Sequence, residues 1–562
     1  MSKKGGIDRN SVLERLNDLN LDLEAIGNKE IVNAFVVLFQ IVEELAAAND
    51  ELRQENQKLR DENNRLKGEQ GKPDIKPSKK NKDTSSEKER KKREKRIKKS
   101  TPKDEIKIDK TEICRVDPDI LPPDAEFKGY QPMVVQEIEI TVLNIQYDKE
   151  IYYSPSEKKT YIAEAPQGIQ GKFCPGIKSL AITLKRASNV SEPKIVEFFD
   201  NVDIDISPAE ISRILTKDRD IGIFLQEKEE ILKAGLQSTI YQQIDDTGAR
   251  VNGQNQFVQI ICNPYYTAYF TMPKKSRLSI LDVLRGGAER VYLLNEEAFS
   301  ILQSFNLAQK WTTRLRTEAL GKTLNEDDMK ALLSRFFPKP NQGKNIRTRI
   351  MEAGLIAAYH EQIGFPAILI LMSDDAPQYK LLAHYHALCW IHEGRHLKKL
   401  DPVSPLFRKE LEEFQRRFWD YYQKLLDFKE TPSQHAADRL SGEFDDLFST
   451  ICKYPFLADR IEKTRAKKEN LLLVLKWPEL PLHNNASELG ARAQARVRDV
   501  SFQTKSDEGT KAKDALLTIV QTAKKLGVSA YKYIYDRVSK TFAMPSLAEL
   551  IIERAAQDNA IS

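Results

Sequence analysis

Paired cysteines, long apolar runs and an export leader are all missing from this 562-residue sequence. Its five Cys are scattered without a C-x-x-C pair, so neither a disulfide framework nor a thiolate zinc site is expected. That usage suits a reducing cytoplasm. No apolar run approaches a bilayer span, and the start "MSKKGGIDRN" has no apolar signal core, so no membrane association is expected. A large net charge is missing as well: the formal value is +5, but the basic residues are unevenly spread. Their densest run, "KPSKKNKDTSSEKERKKREKRIKK" (76–99), has no aromatic residue and a single Ile. It cannot bury enough apolar area to offset its ordering entropy. The segment 69–112 therefore reads as a disordered basic linker. It is either a solvated spacer or, through Lys91, Lys92 and Arg93, an arm for nucleic-acid phosphates.

What is present is most regular near the N-terminus. Leu38, Leu45, Leu52, Leu59 and Leu66 recur every seven residues. The companion seam holds Phe35 and Val42, then Asn49, Asn56 and Asn63. Such a repeat keeps one apolar stripe on a partner helix, and Asn in the seam selects register and a parallel pair. Glu55 can reach Arg60 of a partner, and Glu62 can reach Lys67. A coiled coil over 1–68 that pairs two or more copies of the chain is expected.

Beyond the linker, alternation in "MVVQEIEITVLNIQYDKEIYYSPSEKKTYIAEAP" (133–166) predicts short strands and hairpins within 113–166. Short helical segments follow over 167–235. One, starting at Ser207-Pro208 with Ile211 and Ile214 turned inward, resembles the recognition half of a helix-turn-helix.

The period then changes. "STIYQQIDDTGAR" (238–250) reads as a strand that runs into Asp245 and Asp246, followed by two more strands and a helix within 236–286. A second apolar strand, "FPAILILMSDDAPQ" (365–378), also ends in an acidic pair, Asp374 and Asp375. It leads into "YKLLAHYHALCWIHEGRHLKKL", expected to be helical. The segments 287–364 and 399–478 read as helical insertions around a core part at 365–398. The C-terminal helices, 479–545, carry "LPLHNNASELGARAQARVRDVSFQ", with a tail at 546–562. In that stretch the Asn residues suit a helix cap, but Glu488 sits among Arg492, Arg496 and Arg498. Two strand-end Asp and one helix-borne Glu can converge to hold hard divalent cations through oxygen. Such a pair of ions clamps the attacking and leaving oxygens of a phosphoryl displacement. The arginines, with Lys505, would hold nucleic-acid phosphates on the same side. Which Asp of each doublet serves is left open by spacing alone.

Four short motifs, in one order beside the zipper, carry a family resemblance. "IDDTGAR", "LMSDDAPQY" with "HALCWIHEGRHLKKL", "LHNNASELGAR" and "TAKKLGVSAYKYIYDRV" resemble the conserved blocks of bacterial insertion-sequence transposases of the DDE type, specifically the large transposase of the IS66 family. The resemblance implies a multidomain α/β chain with a ribonuclease-H-like catalytic core. It maps the catalytic, metal-binding residues to Asp245, Asp374 and Glu488, with Mg²⁺ or Mn²⁺ as cofactor. It further implies inverted-repeat ends and target DNA as partners, accessory transposition proteins as candidates, and a bacterial, nucleoid-associated location. The sequence departs from the family at its zinc ribbon: Cys114 is followed by Asp117, and Ser154 and Glu157 stand where a Cys pair is usual, so zinc is not expected there. His483 replaces an Asp and Leu489 an Arg beside the third acid.

Two further groups compete for a role. Cys389, His392 and His396 would share one helical face at a spacing that can ligate zinc, although the C-x-x-H pattern reads better as structural. Trp390 and Trp419 suit core packing better than base stacking. The expected function is metal-dependent DNA cleavage and strand transfer at inverted repeats. A dimeric DNA-binding protein that has lost catalysis is the alternative.

Overall fold

The computed structural model of the chain describes residues 28–66 and 108–561, apart from 124, 170 and 340. The basic run with Lys91, Lys92 and Arg93 lies outside the described residues, as does the side chain of Leu66. The described chain is mixed α/β.

Helix α1, Lys29–Leu66, is continuous and capped by Asn28, whose Oδ1 accepts from Glu30 N at 2.9 Å. Leu38, Leu45, Leu52 and Leu59 are exposed along it. Another face is seated on the protein: Phe39 meets Phe407 edge-on at 6.4 Å, and buried Glu43 accepts from Ser404 N at 2.8 Å. The expectation that no apolar run reaches a bilayer span needs correction, because Lys29–Arg60 is long and apolar enough to pass that test. Over 31–48 the apolar residues of α1 are interrupted only by Asn33, Gln40, Glu43 and Glu44, so the stretch is apolar on average without being an unbroken run.

Alternation over 133–166 yields less than expected. Only a hairpin forms, β1 (Ile151–Ser154) with β2 (Lys159–Ile162), while Met133, Val135, Ile138, Ile140 and Leu143 stay exposed outside any strand. An alternating run becomes a strand only where a neighbour takes its hydrogen bonds and covers its apolar face.

Helices α2 (Pro175–Arg186), α3 (Glu192–Asp200), α4 (Pro208–Thr216) and α5 (Ile221–Ser238) follow. Ser207 caps α4 by accepting from Glu210 N at 3.2 Å, and Ile211 and Ile214 are buried as expected. These helices share one apolar core with the sheet: Ile211, Phe224 and Ile231 belong with Ile244, Ile261 and Ala268.

That sheet positions the site. It comprises β3 (Tyr241–Val251), β4 (Gln254–Cys262), β5 (Thr267–Met272), β8 (Ile370–Ser373) and β9 (Tyr385–Leu388), in the order β5-β4-β3-β8-β9. The first three form an antiparallel meander, and β8 and β9 run parallel to β3. Between β5 and β8 lie α6 (Arg277–Leu284), a small β6–β7 pair (Val291–Leu293, Thr323–Asn325), and α7 (Glu296–Ser304), α8 (Gln309–Ala319), α9 (Glu326–Phe336) and α10 (Lys344–His360).

After β9 comes α11 (Trp390–Lys399), then α12 (Pro405–Glu430), α13 (Gln434–Phe448), α14 (Pro455–Arg465) and the short α15 (Lys468–Leu471) and α16 (Leu473–Lys476). These bury a second apolar core that includes Ile370, Met372, Trp390 and Phe418. The continuous helix expected from Tyr379 onward is thus corrected: Tyr385–Leu388 pairs with β8, and the helix starts only after Cys389. Pairing to an existing strand overrides local helical pattern.

The chain closes with α17 (Asn485–Ser501), α18 (Asp507–Lys525), α19 (Ala530–Val538) and α20 (Leu547–Ile561). Helix α18 shields the exposed edge of β5. Thr518 Oγ1 accepts from Tyr269 N at 3.2 Å, and Asp514 Oδ2 from Thr271 N at 2.6 Å, so edge donors that would invite another strand are satisfied.

A candidate acidic site at the ends of two parallel strands

Successive side chains of a strand point to opposite faces, and in β3 this separates the first acidic doublet. Gln243 donates to His483 O at 3.1 Å, and Ala249 packs with Ala491 and Val497 of α17. Asp245 lies between them on the same face, toward α17. Asp246 shares the other face with Ile244 and is fully engaged there: Tyr379 Oη donates to it at 2.8 Å and Lys275 Nζ lies at 2.7 Å.

The second doublet divides in a similar way. Gln243 pairs with Met372 across the parallel ladder, so Asp374 stands two residues beyond Met372 as Asp245 stands beyond Gln243. Asp375 is taken by Lys467 at 2.7 Å and Lys380 at 3.1 Å. Burial alone would raise its carboxyl, but those two lysines hold it below the ordinary range. Asp374 Oδ1 accepts from Ala376 N at 3.2 Å, in the turn after β8.

Glu488 enters from the first turn of α17, which is fixed from both sides. Asn484 makes no side-chain cap, contrary to expectation; its Nδ2 donates to Ile244 O at 2.8 Å, beside Asp245. Its backbone N–H points to Cys389 Sγ at 3.3 Å, and Trp390 N donates to Leu482 O at 3.0 Å. The loop 482–484 is thereby tied to β3 and to the start of α11. Gly490 lets α17 approach the sheet, since a Cβ there would lie 2.8 Å from Ile260 Cγ2.

Electrostatics mark the convergence. The Asp245 carboxyl is pushed up from 3.8 to about 7, first by burial and then by Asp374, Asp246 and Glu488; the Asp246 N–H opposes this. No cation pairs with it among the described residues. Glu488 has one: Arg395 of α11 grips both its oxygens, at 2.9 and 2.8 Å. Arg395 was not singled out from the sequence, although it lies in the quoted "CWIHEGRHLKKL". Its spacing from the surrounding acids is visible only once α11 is placed.

Hard carboxylate oxygens around an uncompensated, partly desolvated charge fit Mg²⁺ or Mn²⁺. Among the described residues no three His, Cys, Asp or Glu side chains already converge as a metal-binding group. The present rotamer of Glu488, turned to Arg395, accounts for one missing donor.

The remaining candidates separate clearly. Arg492, Arg496 and Lys505 are exposed, whereas Arg498 donates to Gly248 O at 2.8 Å. Cys389 is buried, its thiol pushed up to about 11 by burial. His392 and His396 lie ring to ring at 4.7 Å, both held below the usual imidazole range by burial. Trp390 is buried with its Nε1 donating to Leu471 O at 2.9 Å, and Trp419 is almost buried beside Gly394, so both pack the core.

Comparison with known proteins adds two findings. A family model described as "Transposase IS66 family" matches residues 328–512, a span that holds Asp374, Arg395 and Glu488 but not β3 with Asp245. The "Uncharacterized protein y4jO" of Sinorhizobium fredii is 31% identical over 331 residues, which cover 58% of this chain and 100% of the relative.

Proposed function

The chain belongs to the IS66 family of transposases, and from that premise we propose that it is a metal-dependent enzyme of the DDE type that cuts and joins DNA at inverted-repeat ends. One observation carries the reading: half-buried Asp245, in no ion pair among the described residues, lies in the field of Asp374 and Glu488. The sheet, an antiparallel meander followed by two parallel strands, supports a ribonuclease-H-like core.

Asp245, Asp374 and Glu488 would hold Mg²⁺ or Mn²⁺. When bound, such ions supply Lewis-acid charge to both oxygens of an in-line phosphoryl displacement. The protein's own residues do the placing. Gln243 and Asn484 fix the approach of α17 to β3, and Lys467 and Lys380 keep Asp375 out of the site. Arg492, Arg496 and Lys505 offer exposed charge to DNA phosphates on the flank. The exposed leucines of α1 fit a second copy of the chain, which would bring two acidic sites to two DNA ends.

The grip of Arg395 on Glu488 favours a second reading, a protein that binds ends without cutting them. The two are separated by incubating supercoiled plasmid carrying the flanking repeats with Mg²⁺ or Mn²⁺. Nicked or joined products that vanish with Asp245→Asn and Glu488→Gln support the enzyme. Retention of DNA with no cleavage in either metal supports the alternative.

A further inference from the structure

Resting on the reading of Asp245, Asp374 and Glu488 as metal ligands, we infer that Arg395 is a positioning residue that exchanges partners: it holds Glu488 while the site is empty and takes a DNA phosphate when a cation claims Glu488.

Arginines that only brace a fold are sunk among several acceptors. Arg537 is such a case, bonded to Tyr533 Oη, the carbonyls of Met544 and Pro545, and Asp536. Arg395 differs. Among the described residues its side-chain hydrogen bonds go to Glu488, and its side chain keeps 25% of its surface in solvent, against 18% for Glu488. The same guanidinium acts on Asp245, so it sits within the field of two of the three acids.

The helix beneath it is tied down on several sides. Trp390 anchors its first turn through Leu482 O and Leu471 O. One residue before Gly394, buried Glu393 is held by Arg460, Lys467 and Thr464. Gly394 lies against Trp419, where a Cβ would come within 2.4 Å of the ring. Only the far end of Arg395 is free to change partner.

The exchange is chemically matched. A guanidinium presents two parallel N–H groups that fit a carboxylate and a phosphate equally well. Glu488 would be a ligand to a divalent cation, whose charge exceeds that of the guanidinium, and the Arg395 fork, once released, would be left beside the acidic site to take a phosphate. Arg395 is thereby occupied by Glu488 before loading and would become available only after it.

The test uses the full chain and three readouts: Mn²⁺ binding by electron paramagnetic resonance without DNA, retention of repeat-bearing plasmid in EDTA, and single-turnover cleavage. With Arg395→Gln, Mn²⁺ should bind about five- to tenfold more tightly, because a competing positive charge is gone, while cleavage falls about a hundredfold. A merely structural Arg395 would weaken both. With Glu488→Gln, plasmid should be retained several-fold more tightly in EDTA, and the gain should vanish when Arg395→Gln is added. Mn²⁺ binding by Arg395→Gln at or below the wild-type affinity overturns the exchange, as does unchanged metal-free retention by Glu488→Gln. The second arm stands even if Arg395→Gln fails to fold. Wild-type protein that neither binds Mn²⁺ nor cleaves removes the metal reading itself, and this inference with it.

Discussion

Asp245 and Asp246 are chain neighbours that work on opposite faces of one sheet: Asp246 is bound to Tyr379 and Lys275, while Asp245 lies on the face toward α17 and forms no ion pair among the described residues. The division predicts different fates for the two Asn variants. Asp246→Asn should lose about 1–3 kcal/mol of stability through its broken charged hydrogen bonds, yet keep most of the cleavage rate of the folded fraction. Asp245→Asn should lose at least about a hundredfold in cleavage. Equal losses in the two variants would refute the facial division.

Stability should respond to pH through Asp245. Its folded carboxyl titrates near 7 and its unfolded one near 3.8. Between those values the folded state binds more protons, so stability falls as pH rises through the window. The full cost above pH 7 is at most roughly 4 kcal/mol. Asp245→Asn removes it. Calorimetry in EDTA should therefore show the variant melting above wild type at pH 8, with the gap closing toward pH 4. A variant that melts lower at pH 8 contradicts the assignment.

Cation binding should show the same group from the other side. A ligand carboxylate must lose its proton first. Mn²⁺ affinity should thus rise by up to about tenfold per pH unit below pH 7 and level off above it. Isothermal titration in buffers of differing ionisation enthalpy would detect the released proton. An affinity that is flat from about pH 5.5 to about pH 8 would count against Asp245 as a ligand.

Gly490 sets the distance between α17 and the sheet. A methyl at that position meets Ile260 Cγ2 and Thr267 Cγ2. Gly490→Ala should cost about 1–3 kcal/mol and displace Glu488. The expected readout is a lowered melting temperature together with slower cleavage at saturating Mn²⁺. Unchanged values of both would show that the helix has slack.

The leucine seam predicts an assembly change without a fold change. Leu45, Leu52 and Leu59 are exposed on a helix whose other face is already seated against Phe407 and Ser404. If the seam pairs two copies as proposed, replacing all three with Lys should lower the mass seen in light scattering to that of one chain while leaving the main calorimetric transition in place. Loss of that transition would mean the seam packs on the protein's own core.

The strand-to-acid pattern was readable because it depends on local alternation: β3, β4, β5 and β8 stand where their apolar spacing put them. Residues 385–388 were not readable, since Tyr-His-Ala-Leu has no strong strand signal and takes its form from the edge of β8. Alternation over 133–148 misled for the converse reason, because nothing covers those side chains. At the site, the choice of Asp over Asp in each doublet could not be made from spacing. It depends on Lys380, close by in the chain, and on Lys275 and Lys467, which arrive from separate segments. Arg395 escaped notice on the same ground, and so did the use of Asn484 as a tie to β3 rather than as a cap.

The acids are spread along the chain at 245, 374 and 488, and the helix bearing the last of them rests on the first strand of the sheet. During synthesis, α1 and the first two acids leave the ribosome long before the third. A nascent or prematurely terminated chain that stops before Asn485 could pair through α1, yet would lack α17 and with it the complete acidic site. Under the proposed function, such fragments would join full-length subunits as silent partners, so broken messages would restrain the activity that intact ones encode.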